Sequence, residues 1–507
     1  MVIRLGKLAK RQQKHMRQAK EKNIGVNAVL NIVNSGFLLL FPLITYPYVL
    51  RIIGTGGIGR VSYCASFINY FSLIAMLGVP VYGVARGARY RHDKTKFNNF
   101  VNEVFTINLC STIAAYILLF FLLASGKFQV YEKLLVLQSL SMIFITLSRD
   151  WVHTIYENFS FIAIRNILTY TVSAVFIFSF VRGAEDYYQY ALATVITNGM
   201  IFAANVFCLA KYVKTKIVFR ADTAKHIKPL LLMFSNALAI SIYVNFDITM
   251  LGLLKGDATV GLYAAAVKVY ITIKSMLSAF YAVAIPRLSF YMGENKLEAY
   301  KKLYTDLCGY LSLLLIPAAV GLVCLSKEII TVIGGGEFAG AAGALRILSV
   351  SLVFAVYGGL ITSVLNVSLG RERDNLSATI LGAAINCVLN LIFIPVLSQN
   401  GAAVTTLISE FFVAAFCLAR VPDKYKYIDF RCIGKAMKNA AAGSLGIVAL
   451  TVIVKHFIPG RIPRIGLIFT GSIFLYTAVL LVLRDEYLSG CIAMVTKQLK
   501  RQGCERK

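Results

Sequence analysis

The chain reads as an all-α polytopic membrane protein with about fourteen transmembrane helices, and three observations predict it. Of its 507 residues 58% are hydrophobic and only 15% are charged, with a mean hydropathy of +0.70. A soluble domain cannot hide that much apolar surface. The hydrophobicity comes in blocks of about 20 residues, the length of helix that spans ~30 Å of hydrocarbon. Lysine and arginine crowd every second connection between those blocks.

In chain order the spans are expected at about 24–45, 61–85, 99–124, 134–154, 159–181, 188–210, 229–250, 259–286, 303–325, 339–366, 375–395, 401–419, 436–454 and 465–483. The first is separated from the second by "RIIGTGGIG" (51–59), and the third follows the basic connection "RGARYRHDKTKFNN" (86–99). The fifth carries Arg165, the eighth Lys268 and Lys274, and the tenth Arg346. The longest connections are basic, and none exceeds about 25 residues, so no soluble catalytic domain lies between spans.

This gives a basic segment (1–23), a six-helix bundle (24–210), a linker (211–228) and a second six-helix bundle (229–419). A further linker (420–435), two additional spans (436–483) and a basic tail (484–507) follow. The bundles look like copies. "YALATVITN" (190–198) matches "AAVTTLISE" (402–410), and "IGRVSY" (58–63) matches "VGLY" (260–263), at offsets of 212 and 202 residues. Six helices per copy is an even number, so both enter from one side. They are then expected to be pseudo-symmetric about the membrane normal, with a cavity between them.

The net charge of +28 raises the question of nucleic acid. Of 52 Lys and Arg, 38 lie in or at the edges of segments on one face, ten lie in the opposite loops, and four lie inside spans. The positive-inside rule accounts for that asymmetry, with both termini cytoplasmic and anionic lipid headgroups as the partner instead of nucleic acid. The lead "MVIRLGKLAKRQQKHMRQAKEKN" is too long for an ordinary signal n-region, and no cleavage site follows the first span. The ten cysteines form no CxxC pair and the five histidines are scattered, so no metal or cofactor is expected.

Polar groups inside the spans are the candidates for function. Asn27, Asn31 and Asn34 share one face of the first helix; Asn236, Tyr243 and Asp247 share one face of the seventh. Asn386 and Asn390 sit one turn apart in the eleventh, as do Thr406 and Glu410 in the twelfth. Two accounts of these amides stand: interhelical bonds that hold the bundle, or a polar lining. Lys268 and Lys274 point about 120° apart. Lys268 is either a packing partner of Asp247 or Glu410, or an anion site facing a wet cavity, and the same two accounts stand for Lys274. Arg165 and Arg346 lie a turn or two from an interface, where snorkelling is expected. Arg51 and Arg60 flank an outer end, where headgroup contact is expected.

"RIIGTGGIG", "RDWVHTIYENFSFIAIRNIL" (149–168), "VNFDITMLGLLKGDATVGLYAAAVKV" (244–269) and "IPRLS" (285–289) follow one another in that order. After them come "GEFAGAAGALRILS" (336–349) and "VLNVSLGRERDNLSATILGAAINCVLNLIFIPVLSQNGAAVTTLISE" (364–410). With these runs on fourteen spans, the chain resembles the bacterial polysaccharide or oligosaccharide flippases of the multidrug/oligosaccharidyl-lipid/polysaccharide exporter superfamily, across roughly 24–485. The resemblance implies a fold like that of the multidrug exporters, with two six-helix lobes and two C-terminal helices, in the bacterial cytoplasmic membrane.

It further implies transport of a polyprenyl-pyrophosphate-linked glycan by alternating access, with a polymerase and glycosyltransferases of the same pathway as partners. The family places basic residues in its cavity to receive the substrate's phosphates, and Lys268 stands in the matching stretch of the eighth span. Lys274, Asn27, Asn31, Asn34, Asn236 and Tyr243 are the further candidates for the cavity lining, with Asp247 and Glu410 as candidates for ion coupling. The lipid II branch carries arginines in its first helix where this chain has asparagines, which argues against a peptidoglycan precursor. A multidrug antiporter is the first rival, but span 24–45 lacks the acid that branch uses. A membrane glycan polymerase or ligase needs larger outer loops than these.

Overall fold

A computed structural model describes residues 24–219, 221–458, 460–493 and 496, except the side chains of 24–32, 221–222 and 461–462. The basic segment 1–23, the end of the tail, and the Asn27 and Asn31 side chains lie outside the described residues. The described chain is almost wholly helical. Twelve of its helical stretches are long and apolar enough to cross a membrane, and two of these, Val33–Tyr90 (58 residues) and Glu372–Arg420 (49 residues), are long enough to cross twice. About fourteen crossings result, and the protein is a multi-pass membrane protein.

The helices are α1 (Ile24–Met76), α2 (Val79–Gly87), α3 (Lys94–Ala124), α4 (Glu132–Ser148), α5 (Asp150–Ile155), α6 (Phe159–Phe180) and α7 (Tyr187–Leu209). There follow α8 (Ile227–Lys255), α9 (Asp257–Ala282), α10 (Ile285–Gly293), α11 (Leu297–Gly334), α12 (Ala342–Leu360) and α13 (Glu372–Arg420). Then come α14 (Lys424–Tyr427), α15 (Phe430–Phe457) and α16 (Arg461–Val482). Their ends follow local chemistry. Asp93 and Asp429 accept backbone N–H bonds at the starts of α3 and α15, the usual acidic N-cap. Two residues with positive φ break long helices from within: Gly54 (φ 73°) bends α1, and Ser398 (φ 52°), three residues after Pro395, bends α13.

Packing divides the chain into two compact units. The first comprises the residues up to Val49 together with Phe67–Ala237. The span expected at 61–85 breaks here at Leu77 and Gly78, both at positive φ, and restarts at α2 with Pro80 in its first turn. The span expected at 134–154 also breaks, at Arg149 (φ 46°), so that α5 turns away from α4. An apolar core gathers around Trp151, Phe97 and Phe100. Beside it, the connection to α8 lies along α3. Asn98, Asn102 and Thr106, one per turn, bond the backbone of Lys214, Lys216 and Val218 at 2.9–3.1 Å.

The second unit comprises Leu50–Ser66 and everything from Leu238 onward. Within it the elbow after Gly54 meets the elbow after Gly256 (φ 83°). A Cβ on Gly59 would lie 1.8 Å from the Asp257 carbonyl oxygen, and one on Gly261 would lie 2.0 Å from that of Thr55. Both glycines, and both carbonyl-bearing residues, are 202 residues apart, so one backbone crossing is made twice in mirrored roles. Only glycine permits that approach.

The arginines flanking this elbow, expected at headgroups, also bond within the fold. Arg60 Nε bonds Asp257 Oδ2 at 3.1 Å, and Arg51 donates to the Val332 carbonyl. Glu337 caps the helix that restarts at Thr55, accepting from its N–H at 2.7 Å and its hydroxyl at 2.6 Å.

Candidate functional site

The polar residues of α8, α9 and α13 form one stripe inside the second unit. On α8, Tyr243 and Asp247 lie one turn apart; on α9, Tyr263, Tyr270 and Lys274 recur at helical spacing; on α13, Thr406 and Glu410 lie one turn apart. Gly382 lets α13 approach closely, since a Cβ there would stand 2.5 Å from a Val413 methyl and 3.3 Å from the Tyr243 ring.

The stripe has two levels. At the first, the Asp247 carboxylate is buried and accepts from Tyr263 Oη at 2.5 Å, Asn390 Nδ2 at 2.6 Å and Thr406 Oγ1 at 2.8 Å. Asn390 is oriented in turn by Asn386 Oδ1 at 3.0 Å and by the Thr405 hydroxyl at 2.6 Å. All of these donors are neutral. A buried carboxylate set among these neutral dipoles suits a small cation or a proton.

At the second level, Lys274 Nζ meets Glu410 Oε1 at 2.8 Å and lies 5.6 Å above the Tyr270 ring. The Tyr270 hydroxyl stands 3.4 Å from the same carboxylate oxygen. Glu410 is 8% exposed by side chain and Lys274 32%, so the carboxylate sits behind and the ammonium in front. Nearby, the buried Tyr243 hydroxyl and the fully buried Ser409 and Ser351 hydroxyls find no hydrogen-bond partner among the described residues. Unspent hydroxyls beside a buried ion pair are the kind of group a bound ligand or water satisfies.

The structure therefore joins Tyr243, Lys274 and Glu410 at one level and gives Asp247 its own. Lys268 lies on a different face of α9, half-buried, eleven residues into the helix or about 16 Å along it. Glu410 is held by Lys274, and Asp247 by neutral donors. Asn236 is exposed and takes no part in the stripe. Asn34 belongs to the first unit, where it accepts from Asn166 Nδ2 at 3.1 Å.

Arg165 departs from the sequence expectation. It does not snorkel: its side chain is 3% exposed, and four bonds tie its guanidinium to Asp150, Asn205 and Asn166. The break at Arg149 is what brings Asp150 to it, and no helical periodicity signals that break. Arg346 stays exposed and bonds Ser326 Oγ at 2.8 Å.

Residues 21–292 match the family model described as "Polysaccharide biosynthesis protein", more than half of the chain. The chain belongs to that family. A protein of Escherichia coli strain K12, provisionally named an O-antigen transporter, is 23% identical over 409 residues, 77% of this chain and 95% of that one. A protein of Haloferax volcanii, provisionally named a low-salt glycan biosynthesis flippase, is 27% identical over 174 residues. That match spans only 35% of the Haloferax protein and 33% of this chain.

Among solved structures, a lipid II flippase in an inward closed conformation superposes with a TM-score of 0.74 at 16% identity, covering 90% of this chain and 99% of that one. An inward-facing multidrug transporter superposes at 0.57 with 17% identity, over 76% and 95%. These likenesses establish the fold that the sequence predicts, that of the lipid II flippases and multidrug exporters.

Proposed function

We propose that this protein flips a polyprenyl-pyrophosphate-linked oligosaccharide repeat unit across the bacterial cytoplasmic membrane, for a cell-surface polysaccharide. The observation that carries this reading is a pair of cationic side chains at membrane depth on α9, in a chain of the polysaccharide biosynthesis family. An ammonium at that depth is costly unless a counter-ion or water meets it. Lys274 has a resident counter-ion in Glu410 and is one-third exposed in front of it. A diphosphate arriving at Lys268 and Lys274 gains charge-assisted bonds to compact cations.

The polyprenyl tail stays in lipid throughout, whereas the sugars and diphosphate lose water contacts unless protein groups replace them. Tyr243, Ser351 and Ser409 supply unspent hydroxyls for that purpose. Moving about two negative charges outward across ~100 mV releases roughly 4–5 kcal/mol, which favours export. Asp247, set among neutral donors, is the candidate for ion coupling, while Glu410 serves as the counter-ion of Lys274. Alternating access, cytoplasmic termini and partnership with the polymerase and glycosyltransferases of the pathway belong to the same reading.

The test is export of surface glycan by cells carrying Lys268→Ala, with protein abundance checked. Export should fall by about 10- to 150-fold, the loss of one charge-assisted bond worth roughly 1.5–3 kcal/mol. Lys268→Arg should be milder. Normal export by Lys268→Ala removes the phosphate role. Efflux of cationic dyes from inverted vesicles, without glycan export, points instead to a multidrug antiporter.

A further inference from the structure

The first unit holds a cavity of its own, and its chemistry differs from that of the lysines on α9. It encloses about 270 Å³ and is lined by Ser148, Asp150, Arg165, Asn166, Tyr170 and Asn198, with Phe144 on one wall. Every one of these residues lies within the first unit. At ~30 Å³ per water that is room for about nine waters, comparable to one hexose ring.

The floor of the cavity is built and neutral. Arg165 Nη1 bonds Asp150 Oδ1 and, at 2.5 Å, Asn205 Oδ1, while Nε and Nη2 bond Asn166 Oδ1 at 3.2 and 2.8 Å. Asn205 Nδ2 returns a bond to Asp150 Oδ1 at 3.1 Å and another to Ser148 Oγ at 2.5 Å. The guanidinium and carboxylate cancel, so the floor offers a phosphate no net attraction. A free metal ion would have to compete with a guanidinium already in place.

The rim is unspent. Asp150 is 49% exposed, and its second oxygen makes no bond among the described residues. Neither does the half-buried Asn198 amide nor the Tyr170 hydroxyl. The cavity thus presents a charged acceptor, an amide that both donates and accepts, a phenol that does the same, and two aromatic walls. That combination suits a neutral polyhydroxyl ring: hydroxyl groups meet the rim, and the C–H face packs against Phe144 and Tyr170. A ligand must replace the water of each hydroxyl it buries, and this rim has matching groups for that exchange.

We propose that this cavity is a sugar subsite, which takes one neutral pyranose of the lipid-linked glycan while the diphosphate is held elsewhere. The assignment rests on the flippase reading above and deepens it: specificity for the glycan resides in the first unit, and charge recognition on α9. Arg165 is a positioning residue, holding Asp150 so that its second oxygen faces the ligand.

The test uses full-length protein in nanodiscs and two probes: undecaprenyl diphosphate without sugar, and the glycan-bearing carrier extracted from the host. Wild-type protein should bind the glycan-bearing carrier more tightly, and Asn198→Leu, which fills the cavity, should reduce that preference by ~10-fold. Binding of the sugar-free carrier should stay within about twofold, since no charge is touched. Tyr170→Phe, which removes one hydroxyl and no volume, should lower the preference by a smaller factor. Trp151, the only tryptophan of the chain, lies buried one residue from Asp150 and reports whether each variant keeps its fold.

The proposal is overturned if wild-type protein shows no preference for the glycan, or if both variants retain it with normal Trp151 emission. It is overturned also if Asn198→Leu weakens the two probes equally. Failure of Lys268→Ala to weaken the sugar-free carrier would instead overturn the diphosphate site and leave the sugar subsite standing.

Discussion

Replacing Lys274 with Met removes the ammonium from a carboxylate that is 8% exposed and leaves Glu410 without its counter-ion. Breaking a buried pair from one side costs about 3–5 kcal/mol, most of it the penalty of the stranded charge. Lys274 is itself one-third exposed, so water partly compensates and the expected cost falls to about 2–4 kcal/mol. Changing Glu410 to Gln as well removes the stranded charge, and the double variant should lie within about 1 kcal/mol of wild type. The coupling between the two substitutions is then about 2–3 kcal/mol, far above the error of additivity at independent sites. It can be measured by unfolding the protein in mixed micelles with increasing dodecyl sulfate, following helicity by circular dichroism. A loss under 0.5 kcal/mol for Lys274→Met alone, or simple addition in the double variant, would refute the buried pair.

Three further outcomes follow from the packing. Arg165→Met strands Asp150 and unbonds Asn166 and Asn205, so detergent-extracted protein should fall by at least tenfold in size-exclusion recovery; Arg165→Lys should not restore it, because an ammonium cannot reproduce the planar fork. Gly59→Ala and Gly261→Ala each place a methyl group within 2.0 Å of a carbonyl oxygen, and each should lower the midpoint of thermal aggregation, whereas Gly466→Ala, with open space around it, should not. Backbone bonds from Lys96 and Thr95 hold the Asp93 carboxyl below its ordinary value of 3.8, so its contribution is complete above the unfolded value and is lost as pH falls through the lower folded one. Amide protection at Lys96 should therefore be constant from neutrality to about pH 4 and decline below it, and Asp93→Ala should abolish that dependence.

Hydropathy alone disclosed the fourteen crossings, because each must present some 20 apolar residues to lipid whatever its neighbours are. The 202-residue offset read from "IGRVSY" and "VGLY" is also the spacing of the paired glycines Gly59 and Gly261. Helical spacing likewise placed Tyr243 with Asp247 and Thr406 with Glu410, since residues one turn apart share a face.

What stayed illegible was which face meets which. Lys274 and Glu410 are 136 residues apart, and nothing local tells that Lys274 takes the acid. Arg165 looked like a snorkelling residue because its depth was visible, while its partner Asp150 was hidden behind the left-handed turn at Arg149. For Arg51 and Arg60 the helix-end position was legible, but the bonds to Val332 and Asp257, nearly 200 residues or more away in sequence, were not.

The most direct trial of the account is flipping itself, in proteoliposomes holding a fluorescent undecaprenyl diphosphate oligosaccharide whose outward-facing fraction is read by membrane-impermeant quencher. The wild-type protein should move the label, Lys268→Ala should slow it by tenfold or more at equal protein content, and Lys268→Arg should retain most of the rate. Transport by Lys268→Ala at the wild-type rate would contradict the claim that ammonium groups on α9 receive the diphosphate.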